Sequence, residues 1–417
     1  MNIVMIVTSL PPSKAGGAEL QALNLGKELS KRNIFVEFLT PGANHLKGKS
    51  NLKGMTVLRL HSFPGRIFDF FSKLKKRRRK SGVQIEYDDQ RETTDGITGA
   101  IGWPTLIYYH IFLLNSLFYL WPRRNSFDII HAHTMEWSAI VAMRLGRVLR
   151  KPVVIKESTM NGFNSLRRFP QGRRLQKMII QNCSFISMTE DIEKNLRQAG
   201  IPEGKIYRIP NGIDINEREE GLGERPLVPT VLFVGNLYQQ PAKGVDILLK
   251  AWCRVNKDYP NARLMIIGDG ETDVYAQFTN RLGIGQTVQF LGKQSDLTRY
   301  YRRASLFVLP SRREGMSNAL MEAMLNGVPC VATDISGNRD LIENGISGML
   351  VTSKDVEGLA KAICYLLGHT EESIRMGENG RERILTGYNM HIVGDLYVSM
   401  YTQLLKKDKD QLSLKMK

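Results

Sequence analysis

Leu309-Pro-Ser-Arg-Arg-Glu314-Gly315-Met316-Ser317-Asn318-Ala319-Leu320-Met321-Glu322-Ala323-Met324-Leu325-Asn326-Gly327-Val328-Pro329 reads as a strand, a loop, a helix and the approach to a second strand. Ser317 or Asn318 suits the helix N-cap, and Leu320, Met324 and Leu325 make an apolar face. Gly327 with Pro329 ends the helix. Glu314 then falls in the loop and Glu322 in the second turn. A strand feeding a helix that returns to another strand is the repeating unit of a parallel sheet covered by helices.

Outward from this stretch, short apolar runs alternate with helix-length periodic segments. In the first half, strands are expected over 3–8, 34–39, 56–60, 128–131, 152–156 and 185–188, and helices over 19–31, 105–120, 137–149 and 190–198. A second series of strands restarts at 231–234, runs through 263–267, 288–291, 306–309 and 329–333, and closes near Met349. Between the two series stand Ile209-Pro-Asn-Gly-Ile-Asp214, a strong turn signal, and the polar run 216–229. With 417 residues the chain exceeds the size at which one hydrophobic core keeps growing. The expected class is α/β, with two Rossmann-like domains facing each other across a cleft. The first covers 1–205 and takes back a C-terminal helix at 388–407, and the second covers 206–387.

Composition excludes several classes. With 42% hydrophobic and 24% charged residues the chain is neither low-complexity nor extensively disordered. Cys183, Cys253, Cys330 and Cys364 are far apart and form no CxxC pair, so neither a zinc site nor a disulfide framework is indicated. The opening Met-Asn-Ile-Val-Met-Ile-Val lacks a basic leader and reads as a buried strand, so a cytoplasmic protein is expected. The formal charge of +17 is concentrated at Lys73, Lys75, Lys76, Arg77, Arg78, Arg79 and Lys80, a block that fits a solvated loop, an anionic membrane surface or nucleic acid. The apolar stretch 101–121 is interrupted by Pro104, His110 and Asn115, so a buried helix or one lying on a bilayer is expected in place of a membrane span.

The start of the helix after Glu314 offers backbone amides and the positive end of a helix dipole, an arrangement suited to a diphosphate. Glu314 can accept hydrogen bonds from sugar hydroxyls and Glu322 a pair from a ribose, although the same spacing also fits two ordinary surface acids near a helix start. Gly16 and Gly17 lie between a strand and a helix, where a missing Cβ admits a phosphate or a sugar, or merely a tight turn. His133 ends the strand in Asp128-Ile-Ile-His-Ala-His133, at the edge that faces the ligand crevice in open parallel sheets.

Taken together these segments resemble glycosyltransferase family 4 of the GT-B enzymes, over most of the chain. The resemblance rests on Val234-Gly235-Asn236-Leu237, Lys243-Gly244, Ile267-Gly268-Asp269-Gly270, the pair Glu314 and Glu322, Ser347-Gly348-Met349-Leu350-Val351, Gly16-Gly17-Ala18-Glu19 and Asp128 to His133. It implies retaining transfer from a nucleotide sugar, UDP being the commonest nucleotide, with no cofactor and no metal. The donor would be held by Gly16, Gly17, Asn236, Lys243, Gly315, Met316, Ser317, Asn318, Ala319 and Glu322, with His133 and Glu314 as the catalytic positions. Lys243 would neutralise the phosphates, Glu314 would fix the sugar and the departing phosphate would take the acceptor's proton. Asn236 stands where the family usually has Arg, so one cationic contact is replaced by a neutral amide, and Arg312 or Arg313 could compensate.

The resemblance further implies a glycan or lipid-linked acceptor, as in cell-surface polysaccharide biosynthesis. Acceptor choice would reside in the insert at 61–125 and in Lys156-Glu-Ser-Thr-Met-Asn-Gly162. An anionic membrane surface, engaged from the cytoplasmic side by 73–80, is a further expected partner, and nucleic acid is not expected. A sugar-nucleotide epimerase of the same fold stays open, as does a non-enzymatic polyanion- or membrane-binding protein. A Rossmann dehydrogenase lacks its GxGxxG fingerprint here.

Overall fold

The computed structural model describes residues 1–13, 16–42, 48–60, 101–215, 226–238, 241–270 and 272–416. The cationic block at 73–80 lies outside the described residues. The chain divides into two compact units. One comprises Met1–Ser187, Ile192–Ile209 and Gly394–Lys417, the other Met188–Asp191 and Pro210–Val393.

The first unit is built on an eight-stranded sheet of β1 (Asn2–Ile6), β2 (Phe35–Pro41), β3 (Gly48–Leu52), β4 (Met55–Leu60), β5 (Ile129–Ala132), β6 (Val153–Glu157), β7 (Cys183–Ser187) and β8 (Ile206–Arg208), in the order β3-β4-β2-β1-β5-β6-β7-β8. Every pairing is parallel except β3 with β4. That hairpin turns through Lys53 and Gly54 at φ 52° and 85°, the two positive angles that a right-twisted two-residue turn requires. All residues of β5 and β6 are buried, as expected for strands covered on both faces. The helix Trp103–Leu120 behaves differently: of its 18 residues only Phe112, Ser116 and Leu120 are buried, while Trp103 and Phe118 are 78% and 77% exposed. Among the described residues no helix is long and apolar enough to cross a membrane.

The second unit carries six parallel strands, β9 (Thr230–Val234), β10 (Arg263–Ile267), β11 (Val288–Gly292), β12 (Leu306–Leu309), β13 (Cys330–Thr333) and β14 (Met349–Val351), in the order β11-β10-β9-β12-β13-β14. Its core gathers Phe233, Leu248, Trp252, Leu264, Leu306 and Ile363. The Trp252 indole donates to Thr287 Oγ1 at 3.1 Å, which satisfies its one polar atom. In both sheets the chain runs outward in one direction, returns to the centre and continues in the other. The points of reversal lie at β1 and β5 in the first unit and at β9 and β12 in the second, and carboxyl-end loops at such points form the ligand crevice of open α/β sheets.

Candidate functional site

In the second unit the loops after β9 and β12 are drawn together by glycine. Gly244, at φ 64°, precedes the helix Val245–Asp258, and a Cβ on it would stand 1.9 Å from Pro310 O. No other residue permits this approach. The Arg312 amide donates to Ala242 O at 2.8 Å, and the Arg312 guanidinium grips Asp246 with two bonds of 2.7 Å. Both side chains of that pair are under 10% exposed, so the pair is a strut of the loop and its cation is already committed. On this frame Lys243 Nζ meets Glu314 Oε2 at 2.6 Å, and Ser311 Oγ donates to the same oxygen at 3.1 Å. Ser311 is fixed in turn through its carbonyl, which accepts from Thr333 Oγ1 at 2.5 Å.

The loop passes from Glu314 into the helix Asn318–Leu325. Ser317 is its N-cap and accepts from the Leu320 amide at 3.4 Å. The first carbonyl bond of the helix runs from the Met321 amide to Ser317 O, so the Asn318 and Ala319 amides precede the regular ladder at the positive end of the dipole. Gly315 is set by Gly337, where a Cβ would fall 1.4 Å from Gly315 O. Met316 is set by Asn211, whose side-chain amide donates to Met316 O at 3.3 Å. The Pro-Asn-Gly turn therefore braces the loop as well as ending the polar connection. One turn into the helix, Glu322 Oε2 accepts from Tyr301 Oη at 3.0 Å, and the same hydroxyl also reaches Ala319 O at 3.2 Å. Burial, and then the carboxylate beside it, pushes the Tyr301 phenol well above its usual range.

Asn236 is exposed in the loop after β9. The backbone around it is locked to the next loop: the Leu237 amide donates to Asp269 O at 2.8 Å, and a Cβ on Gly268 would lie 1.7 Å from Gly235 O. The two glycines of Gly-Asp-Gly thus serve loop packing. Of the two arginines expected to compensate for Asn236, Arg312 is spent on Asp246 and Arg313 is exposed.

The first unit holds the remaining expected residues. Gly16 caps the helix Gly17–Ser30, and its amide donates to Glu19 Oε2 at 2.9 Å. That helix start already carries a carboxylate of its own. His133 follows β5, is 1% exposed, and neither ring nitrogen has a hydrogen-bond partner among the described residues. Burial holds its pKa well below the usual value, and the nearby Lys156 and His131 lower it further. His131 is held down to about 3 by burial and by Lys156, and its Nδ1 lies 2.7 Å from Tyr401 Oη of the helix Met390–Met416. Lys156 is itself depressed to about 7 by burial. Glu157 is pushed up to about 8 by burial, against the opposing pull of the Thr159 and Phe163 amides that donate to it at 3.0 and 2.7 Å.

Tyr301, Ser311, Asp246 and Gly337 escaped the sequence reading.

Residues 15–217 match the family model described as Glycosyltransferase Family 4, and residues 228–369 match that for Glycosyl transferases group 1. The chain is 25% identical over 305 residues to the UDP-Gal:alpha-D-GlcNAc-diphosphoundecaprenol alpha-1,3-galactosyltransferase of Escherichia coli, covering 67% of this chain and 77% of the relative. Among solved structures, sucrose-phosphate synthase from Thermosynechococcus elongatus superposes with a TM-score of 0.76 at 20% identity, covering 97% of this chain and 99% of that one. Anabaena HepE, solved with UDP-glucose, gives 0.71 at 18% identity, covering 97% and 100%. These structural likenesses extend the two-domain GT-B fold to this chain.

Proposed function

The chain belongs to glycosyltransferase family 4, and from that premise we propose that it is a retaining transferase that passes a sugar from a UDP-sugar to a lipid-linked glycan acceptor in cell-surface polysaccharide biosynthesis. The observation that carries the donor half of this reading is the meeting of Lys243 and Glu314 beside the start of the helix Asn318–Leu325. A cation and a set of helix-start amides suit a diphosphate, and a carboxylate fixed by Ser311 suits sugar hydroxyls. Glu314 is held in place by Lys243 and Ser311, which makes it a positioned acceptor of hydrogen bonds. Catalysis then consists mainly of stabilising charge on the departing diphosphate, a role that preorganised donors fill without a metal. Glu322, oriented by Tyr301, receives the ribose. Asn236, Gly315, Met316, Ser317, Asn318 and Ala319 shape the same donor site, while His133 takes part as a neutral group. The acceptor half is supported by the Escherichia coli relative, whose name specifies a diphosphoundecaprenol-linked substrate.

The test is a hydrolysis and thermal-shift screen of UDP-, GDP- and ADP-sugars, each with and without a chelator. A UDP-sugar should stabilise the protein and be turned over in both conditions. Turnover that vanishes in chelator and returns with manganese would overturn the metal-free assignment, and stabilisation by no nucleotide sugar would overturn the donor site.

A further inference from the structure

The most apolar long stretch of the chain folds into a helix that leaves much of its surface uncovered. Trp103, Ile107, Leu114 and Phe118 of Trp103–Leu120 are 78%, 49%, 53% and 77% exposed. Where this helix meets Trp137–Leu149 and Gly172–Asn182 there is a cavity of about 600 Å³, the size of a small-molecule site. Its wall is largely hydrocarbon and aromatic, with Ile107, Ile140, Leu175 and Met178 beside Tyr109 and Trp137. The last two rings stack at 4.8 Å with 13° between their planes, which gives the wall a rigid face.

The charged groups lining this cavity have one sign. Arg144 and Arg174 line it, no carboxylate does, and among the described residues neither arginine has an ion-pair partner. His110 Nδ1 is engaged by its own helix, at Leu106 O. The surrounding stretch, 101–182, carries twelve Lys and Arg against three Asp and Glu. A peptide occupant would need partners for its backbone amides and carbonyls, which this wall scarcely supplies. A hydrocarbon chain ending in an anion needs only what is present.

We propose that this cavity binds the chain of a polyisoprenyl phosphate, with Arg144 and Arg174 taking the phosphate, and so selects the lipid carrier of the acceptor. The assignment rests on the lipid-linked acceptor reading given above, and it supplies the part of that substrate which a sugar-binding site leaves unrecognised.

Binding of farnesyl phosphate to the full chain, read by tryptophan fluorescence, tests it, with farnesol and inorganic phosphate as reference probes. Farnesyl phosphate should bind saturably and about tenfold or more tighter than farnesol, with no binding of phosphate alone at the same concentrations. Ile107→Asp, at a half-exposed position of the wall, should weaken farnesyl phosphate about tenfold or more and leave UDP affinity within about twofold. Arg144→Gln with Arg174→Gln should bring farnesyl phosphate down to the affinity of farnesol.

Unchanged binding in Ile107→Asp overturns the proposal. So does a dimer that this substitution dissolves, since the occupant would then be a second copy of the chain. Binding to anionic vesicles with none to farnesyl phosphate would likewise assign the face to a bilayer. The acceptor reading is judged separately, by sugar transfer to a lipid-linked acceptor. Transfer with an unchanged KM in Ile107→Asp removes the cavity and keeps that reading, whereas cavity binding without any such transfer does the reverse.

Discussion

Lys243 Nζ lies 2.6 Å from Glu314 Oε2, in a contact that joins the loop after β9 to the loop after β12 at the point where the strand order of the second sheet reverses. The two side chains are 28% and 13% exposed, so the pair is partly screened and open to a ligand. A donor diphosphate competes with Glu314 for this ammonium. Lys243→Ala should therefore weaken UDP binding by about 1.5–3 kcal/mol, the range of one hydrogen bond to a charged group. Calorimetric titration reads it, and an unchanged dissociation constant in the folded variant removes Lys243 from the site.

Glu314 should matter to turnover more than to nucleotide affinity, because it is assigned to the sugar. Glu314→Ala is expected to lose about 100-fold or more in kcat, the scale found for preorganised polar groups. Wild-type turnover in that variant would defeat the assignment.

For Glu322 the expected loss is in nucleotide binding. Glu322→Gln should raise the Kd for UDP, and Tyr301→Phe, which removes the hydroxyl orienting Glu322 and reaching Ala319 O, should raise it by a smaller step of about 0.5–1.5 kcal/mol. A Tyr301→Phe effect larger than that of Glu322→Gln would show that the tyrosine acts through the helix and not through the carboxylate.

Because burial keeps His133 uncharged, its contribution should not titrate in the neutral range. His133→Gln is expected to lower kcat by the same factor from about pH 5.5 to about 8.5, a range that spans an ordinary histidine's midpoint of about 6.5. A ratio of rates that changes across a midpoint near that of a free imidazole would make the ring a proton carrier.

Stability should respond to pH through Glu157 and Lys156. The raised Glu157 pKa means that the folded chain holds more protons than the unfolded one between about 4.5 and about 8. Its contribution is whole below that window and is lost as pH rises through it. Lys156, depressed from 10.5 to about 7, works in the opposite sense, its contribution being lost as pH falls through that higher window. His131 and His133, held neutral by burial, work against Glu157 below the ordinary histidine value, so the comparison of variant with wild type carries the test. Glu157→Gln removes a contribution that falls with rising pH, so its stability to urea should gain on that of wild type from about pH 5 to about 7, and a difference between the two that stays constant would place the titrating group elsewhere.

Much of the fold was legible because parallel strands buried on both faces are continuous apolar runs. The strand at Leu306–Leu309 and the helix at Trp137–Leu149 were read to the residue. Strand β3 was not read, since Gly-Lys-Ser-Asn-Leu is almost wholly exposed and carries no alternation. The helix Gly172–Asn182 was also missed, as it opens on Gly-Arg-Arg and buries only Gly172, Leu175, Gln176 and Ile179. The loop with Glu314 and the helix with Glu322 were found from local spacing. Tyr301 lies 21 residues from Glu322, and Asp246 lies 66 from Arg312, so no local pattern could have paired them. The expected compensation for Asn236 by Arg312 failed for the same reason, because its acidic partner is distant in the chain.

The helix Met390–Met416 changes the order in which the molecule can be completed. From Gly394 onward it belongs to the first unit, where Tyr401 meets His131 and Arg32 is paired with Asp395 at 2.9 Å. Domains generally fold as units and from the N-terminus while the chain is being made. Here most of the first unit is made before the second, yet its last pieces emerge after the whole second unit has been synthesised. Until then the ribosome holds the first sheet without Tyr397 and Tyr401, and His131 and Lys156 lack the aromatic rings that lie against them. Of the two units, the one begun earlier finishes later, and a nascent chain halted anywhere before residue 394 lacks a complete first unit.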